Sequence, residues 1–282
     1  MLLTYAGLTA ASLLIVQGSV ENHVRGNLRV DLANSVETFR DFQRERENSL
    51  ARSAELMADL PVLKALMTSH HAPTIQDASA ELFRLSGGGL FALIDPANQI
   101  VGFHTHSPGI TLQQAQELRD RHTGRDDSRQ WWFAGGHLYE VFLVPIYFGP
   151  KASNSVLGTL AIGYEINATV AQEVARVAAG QVAVVCSGRV VVSTLDSADV
   201  NKLQQLLTAH DASGFPVDVK LGNESFVASS LALNEGLPPV TMFVMKSYDQ
   251  AAQFLSHLRQ LLLAVGLGAV LLGTLLVYII AR

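Results

Sequence analysis

The sequence is poor in charge and almost free of cysteine. Of 282 residues, 16% are Asp, Glu, Lys or Arg, against roughly 25% in a typical soluble domain. The shortfall is uneven: residues 1–20 and 260–281 carry no charge at all, so nearly every ionised group lies between Glu21 and Arg259. With 20 basic against 25 acidic residues, the chain lacks the basic footprint that nucleic-acid binding needs. The single cysteine, Cys186, excludes an intrachain disulfide and, lying in an apolar run, reads as a buried thiol. Catalytic signatures are missing too. There is no Gly-x-Ser-x-Gly, no patterned histidine partner for Cys186 and no pair of carboxylates on adjacent strand ends, so no enzyme is expected.

What is present begins with the two apolar ends. Gln260 to Ala281 is an uncharged run bracketed by Arg259 and Arg282, with Tyr278 near one end. Twenty-odd helical residues reach about 33 Å, enough for a hydrocarbon core of roughly 30 Å. Residues 1–20 are apolar or small but have no basic start and no clear small-residue cleavage site, which favours an uncleaved anchor over a signal peptide. The expected arrangement is span 1 at 1–20, span 2 at 259–282, and an interior, 21–258, on the far side of the membrane. Arg282 after the second span suits a cytoplasmic end.

The interior divides into one long helix and two similar units. Leu28, Leu32, Val36, Phe39 and Phe42 recur at helical spacing, followed by Leu50, Met57 and Leu60, with no Gly or Pro across 27–60. This predicts a helix over 21–60 whose apolar seam packs either on a second subunit or on its own domain. Pro61 opens a second helix, and a third presents Ile75, Leu82, Phe83 and Leu85. Strands are then expected at Leu90–Ile94, Ile100–His104, Trp131–Phe133, His137–Tyr147 and Val156–Glu165, with a helix from Thr111. A smaller unit repeats the order: a helix over 168–179, strands at 182–186 and 190–193, a helix over 199–209, and strands at 217–221, 224–233 and 240–246, before a helix from Tyr248. Hairpin, helix and three further strands is the order of a five-stranded PAS-like sheet. The fold class is therefore α+β, with units at 61–167 and 168–258.

The long helix, the tandem sheets and the flanking spans resemble double Cache sensor modules of bacterial receptors. Local phrases resemble the double sensory domain of sensor kinases and diguanylate cyclases. These are Leu60-Pro61-Val62-Leu63-Lys64-Ala65-Leu66, Leu93-Ile94-Asp95-Pro96, Gly158-Thr159-Leu160-Ala161-Ile162-Gly163-Tyr164 and Arg189-Val190-Val191-Val192-Ser193-Thr194-Leu195. The resemblance implies an extracytoplasmic sensor that dimerises, binds a small molecule in the membrane-distal sheet, and signals through the second span. Its output domain, a kinase, cyclase or chemotaxis rod, would follow Arg282. In the amino-acid-binding Cache group an Arg-x-Trp-aromatic run holds the ligand carboxylate, and Arg129-Gln130-Trp131-Trp132 is similar to it. The resemblance thus names Arg129, Trp131, Trp132, His137, Tyr139 and Glu165 as candidate ligand-binding residues and a carboxylate as a candidate ligand. A guanidinium makes bidentate bonds to a carboxylate, which is the chemistry the run would supply. His104-Thr105-His106 could place two imidazoles on one strand face, but nine histidines need no metal, and neither metal nor cofactor is expected. The rival reading is a two-span scaffold such as a polysaccharide chain-length regulator, built on long helical hairpins. A sensor of a protein partner is the third.

Overall fold

The computed structural model describes residues 2–121, 128–149, 155–209, 217–234 and 236–249. Helix α1 runs unbroken over Leu2–Ala58, so the apolar N-terminal stretch and the expected interior helix are one rod of 57 residues, about 85 Å long at 1.5 Å per residue. Neither Gly18 nor Gly26 interrupts it. A single glycine costs only about 1 kcal/mol against alanine within a helix, and no proline is present to break it. Among the described residues no helix is long and apolar enough to cross a membrane. The expected second span and most of the helix expected after Tyr248 lie outside the described residues.

Two short helices follow, α2 (Pro61–Thr68) and α3 (Ala72–Ser86). Each has proline in its first turn, where the missing N–H is harmless. Gly87, left-handed at φ 64°, ends α3. The buried face of α3 is Ile75, Ser79, Leu82, Phe83 and Ser86, while Leu85 faces solvent. Two serines rather than that leucine turn inward.

The first sheet contains β1 (Leu90–Ile94), β2 (Ile100–Thr105), β3 (Arg129–Ala134), β4 (His137–Tyr147) and β5 (Val156–Glu165), with α4 (Leu112–Arg121) between β2 and β3. Its spatial order is β2-β1-β5-β4-β3, antiparallel throughout. After α5 (Ala168–Ala178), capped by the Asn167 side chain on Val170 N–H, the second sheet repeats the plan. It contains β6 (Gln181–Cys186), β7 (Arg189–Ser193), α6 (Ser197–Ala209), β8 (Val217–Leu221), β9 (Glu224–Asn234) and β10 (Val240–Ser247). The order β7-β6-β10-β9-β8 is the same permutation as in the first sheet, which the sequence order had led us to expect.

Each sheet has an inner face toward the helical layer and an outer face toward α4 or α6. The inner face of the first sheet packs Phe91, Leu93, Phe142, Leu160 and Ile162 on Ala54, Met57, Leu63 and Phe83. The seam of α1 is used within the chain: Leu28, Leu32 and Phe39 are buried in a core shared with Trp131, Leu138, α5 and the second sheet. That core joins the two sheets. Phe42 from the same seam stays exposed, as do Val30 and Leu56.

Candidate ligand site

The outer face of the first sheet is built by strand alternation. Side chains of successive residues point to opposite faces, and paired residues share a face. Trp132 pairs with Tyr139, Tyr139 with Glu165, Gln130 with Val141, and Val141 with Gly163. Gln130, Trp132, Tyr139, Val141 and Glu165 therefore lie together, with Leu90, Ala92 and Ala161 in the same apolar cluster beneath Ile110, Ala115 and Leu118. The centre of this face, Ala92, Ala161 and Gly163, is made of small residues flanked by two large rings.

The β3–β4 hairpin turns on Gly135-Gly136, both at positive φ, the two-residue turn whose twist matches the strands. Gly109 packs so tightly on Gly135 that a side chain at either position would strike the other's backbone. The contact pins the Ser107–Ile110 loop over the face. Ser107 Oγ donates to Glu165 Oε2 at 3.2 Å, and His137 Nδ1 lies 2.7 Å from Glu165 Oε1. Thr105 Oγ1 donates to Gly89 carbonyl at 3.0 Å and accepts from Ser107 N–H at 3.1 Å. Glu165 is thus a half-buried carboxylate with a partner on each oxygen.

Two side-chain atoms at the bottom of the face have no partner. Trp132 Nε1 donates to Gln130 Oε1 at 3.1 Å, which leaves Gln130 Nε2 buried and unpaired. Tyr139, with 0% of its surface exposed, turns its hydroxyl toward Ser107 and Thr105 without closing a hydrogen bond of ordinary geometry to either. Burial first, opposed by those two hydroxyls and aided by the Glu165 charge, pushes its pKa up, so it presents a neutral O–H. Buried polar atoms are nearly always paired, and an orphan costs about 1–3 kcal/mol. A partner from outside the chain would remove that cost. The face can bind, orient and exclude water.

Of the six residues singled out from sequence, Trp132, His137, Tyr139 and Glu165 come together here. Arg129 and Trp131 are on the opposite, inner face. Arg129 contacts Glu47 of α1 and Glu140 and lines a groove of about 450 Å³ between α1 and β4. Trp131, 2% exposed, fills the core that joins the sheets, its indole N–H unpaired. Period-two alternation forbids Arg129 and Trp132 from sharing a face, a signal available in the sequence. Gln130, Ser107 and the Glu140 cluster were not anticipated from sequence. His104 and His106 both flank Phe83, and His104 Nε2 is hydrogen-bonded to Ser79 Oγ at 2.8 Å. Among the described residues no group of three or more metal-ligating side chains converges. Cys186 is buried as expected, and burial pushes its thiol pKa up.

The second sheet offers a contrast. Its outer cluster, which includes Ala183, Val185, Leu203, Phe226, Phe243 and Met245, is apolar, and no unpaired buried side-chain atom lies on it among the described residues.

No protein-family model matches the sequence, and no curated protein matches it. Solved structures do. The periplasmic domain of LuxQ from Vibrio cholerae superposes with a TM-score of 0.56 at 13% identity, covering 76% of this chain and 99% of that one. The extracellular domain of a protein described as a histidine kinase gives 0.52 at 12% identity, covering 84% and 95%. A domain from Vibrio parahaemolyticus, described as from a sensory box/GGDEF family protein, gives 0.51 at 12%, covering 81% and 99%. At such identities the likeness is one of fold, and it spans those chains almost end to end. The chain shares the fold of these domains, with two tandem five-stranded antiparallel sheets behind one long helix.

Proposed function

We propose that residues 21–258 are the extracytoplasmic, ligand-sensing part of a bacterial inner-membrane receptor. In this reading 1–20 and 259–282 are its spans, 61–167 is the membrane-distal unit and 168–258 the proximal one. Binding of a small molecule on the outer face of the distal sheet is passed to a cytoplasmic output domain outside this chain. The observation that carries the reading is the asymmetry between two sheets of one topology. The distal outer face holds buried polar atoms without partners, and the proximal one is filled with apolar side chains. Trp132, His137, Tyr139 and Glu165, joined by Gln130, are the residues we assign to ligand contact. Arg129 and Trp131 act from the reverse face, on α1 and on the joint between the sheets. No strand of the sheet presents an Arg or Lys to this outer face among the described residues. The ligand we favour is therefore a small molecule that offers oxygen acceptors to Gln130 and Tyr139, in place of a carboxylate clamped by Arg129. Dimerisation through α1 would use the exposed Val30, Phe42 and Leu56.

The ten strands among the described residues favour this over a scaffold of long helical hairpins. The test is thermal stabilisation of the full chain by a panel of amino acids, amines, sugars, amides and organic acids. A ligand at a hundred times its Kd stabilises by about 2.7 kcal/mol. Tyr139→Phe and Gln130→Leu should abolish the shift, and Arg129→Ala should preserve it. A panel without a hit favours a protein partner over a small ligand.

A further inference from the structure

On the inner face of the distal sheet lies a charge network that the ligand site does not use. Glu140, immediately after Tyr139 on β4, sends its carboxylate to the opposite side, where none of it is exposed. Arg46 of α1 donates to it at 3.1 Å and Arg129 of β3 at 3.4 Å. Arg129 also pairs with Glu47 of α1, which accepts from Gln43 Nε2 at 3.1 Å. Two guanidiniums and two carboxylates, drawn from one turn of α1 and two strands, make a neutral closed set. Tyr164 of β5 also lies within electrostatic reach of Arg46.

Buried ion pairs are weak sources of stability, and their best-attested use is to specify register. This network suits that use, because no neighbouring turn of α1 can replace it. One turn along the helix from Arg46 stand Phe42 and Gln43 on one side and Ser49 and Leu50 on the other. From Glu47 the replacements are Gln43 and Arg44, or Leu50 and Ala51. A slide of one turn in either direction would put an uncharged residue in the place of Arg46 and bring no carboxylate to Arg129, and in one direction it would set Arg44 beside Arg129. The proximal sheet grips α1 differently, through apolar Leu28, Leu32 and Phe39. Its polar contacts with α1 are surface ones, Arg29 with Asp218 at 3.5 Å and Lys246 Nζ to the Asp31 carbonyl at 3.5 Å. Packed apolar surfaces permit small shear displacements, whereas a charge set centred on one buried carboxylate has discrete arrangements.

We propose that Arg46, Glu47, Arg129 and Glu140 form a register lock that makes α1 and the distal sheet one rigid body, free to shear against the proximal sheet. The lock deepens the sensor reading and its signalling sense rests on it. A displacement of β4 at Tyr139 is carried by the adjacent Glu140 to Arg46 and then along the α1 rod to the N-terminal end of the chain. The direct mechanical route to the membrane is thus α1, in parallel with the C-terminal route through β10.

The test is distance measurement by pulsed electron paramagnetic resonance on the full chain in lipid nanodiscs, in a Cys186→Ser background and without any ligand. One label pair, Arg44→Cys with Gln113→Cys, reports α1 against the distal sheet. A second, Glu37→Cys with Lys202→Cys, reports α1 against the proximal unit. The parent should show one narrow distal distance. Arg46→Met with Glu140→Met should broaden it. Adding Glu47→Gln and Arg129→Met should produce a second population displaced by about 5 Å, one helical turn. Methionines keep the volume apolar, so these variants should fold, which circular dichroism checks. A narrow, unshifted distal distance in the folded quadruple variant overturns the lock. Because no ligand is used, that result stands apart from whether any small molecule stabilises the chain.

Discussion

The two tryptophans are adjacent, equally buried and on opposite faces, and the same substitution should affect them unequally. Replacing either by phenylalanine removes part of an indole, at about 1–2 kcal/mol, between the cost of one methylene and that of a whole ring. At Trp131 the lost N–H has no partner, so its removal relieves a desolvated donor worth about 1–3 kcal/mol. The net change for Trp131→Phe is then within about 1 kcal/mol of zero. At Trp132 the N–H is bonded to Gln130 Oε1, and Trp132→Phe leaves that amide with neither end paired. The relief is replaced by a penalty of similar size, which brings the total to roughly 2–5 kcal/mol. For a domain of this size 1 kcal/mol moves Tm by about 2–4 °C, so the two variants should melt roughly 6–12 °C apart. Thermal unfolding of the full chain, followed by near-ultraviolet circular dichroism, reads this directly. Equal melting points, or a lower one for Trp131→Phe, would refute the assignment of paired and unpaired indoles to the two faces.

Burial, partly offset by a backbone hydrogen bond at Gln76, lowers the His104 pKa. The unfolded chain takes up a proton at about pH 6.5 while the folded chain resists it, so stability present above that pH should be lost as pH falls through the window. Melting His104→Gln beside the parent from pH 7.5 to 5 should show a flatter slope for the variant. Gly135→Ala meets both a positive φ and the Gly109 backbone. It should destabilise by about 1–3 kcal/mol and raise amide exchange in residues 106–111, and unchanged exchange there would detach the loop from the turn.

The sheets were legible because Asp95-Pro96-Ala97-Asn98, Gly135-Gly136, Ser187-Gly188 and Gly222-Asn223 punctuate runs of β-branched and aromatic residues. Their common topology followed from element order. The continuity of α1 was partly legible: the sequence predicts two helical stretches that abut at residue 20, and with no proline and only isolated glycines at the junction nothing breaks the backbone there. The site was half legible. Sequence identified the correct strands and four of the residues that gather on the outer face of the first sheet. The resemblance of Arg129-Gln130-Trp131-Trp132 to a carboxylate-binding run grouped Arg129 and Trp131 with them, where the pleat separates them. Glu140 carried an unused signal: it is the one ionised residue within the otherwise apolar strand after Tyr139, and a buried carboxylate requires cations nearby. Those cations, Arg46 and Arg129, come from 94 and 11 residues away, a pairing that only the fold reveals.

A small molecule bound on the outer face of the first sheet would lie against one of the two tryptophans that the chain contains. Trp131→Phe leaves Trp132 as the sole reporter of that face, and Trp132→Phe leaves Trp131 as the sole reporter of the joint between the sheets. Titrating both with the compounds that raise the melting temperature should quench or shift Trp132 emission saturably, at concentrations that match the thermal effect, with a smaller change at Trp131. Stabilisation that leaves Trp132 emission unchanged would place the binding event elsewhere and contradict the account.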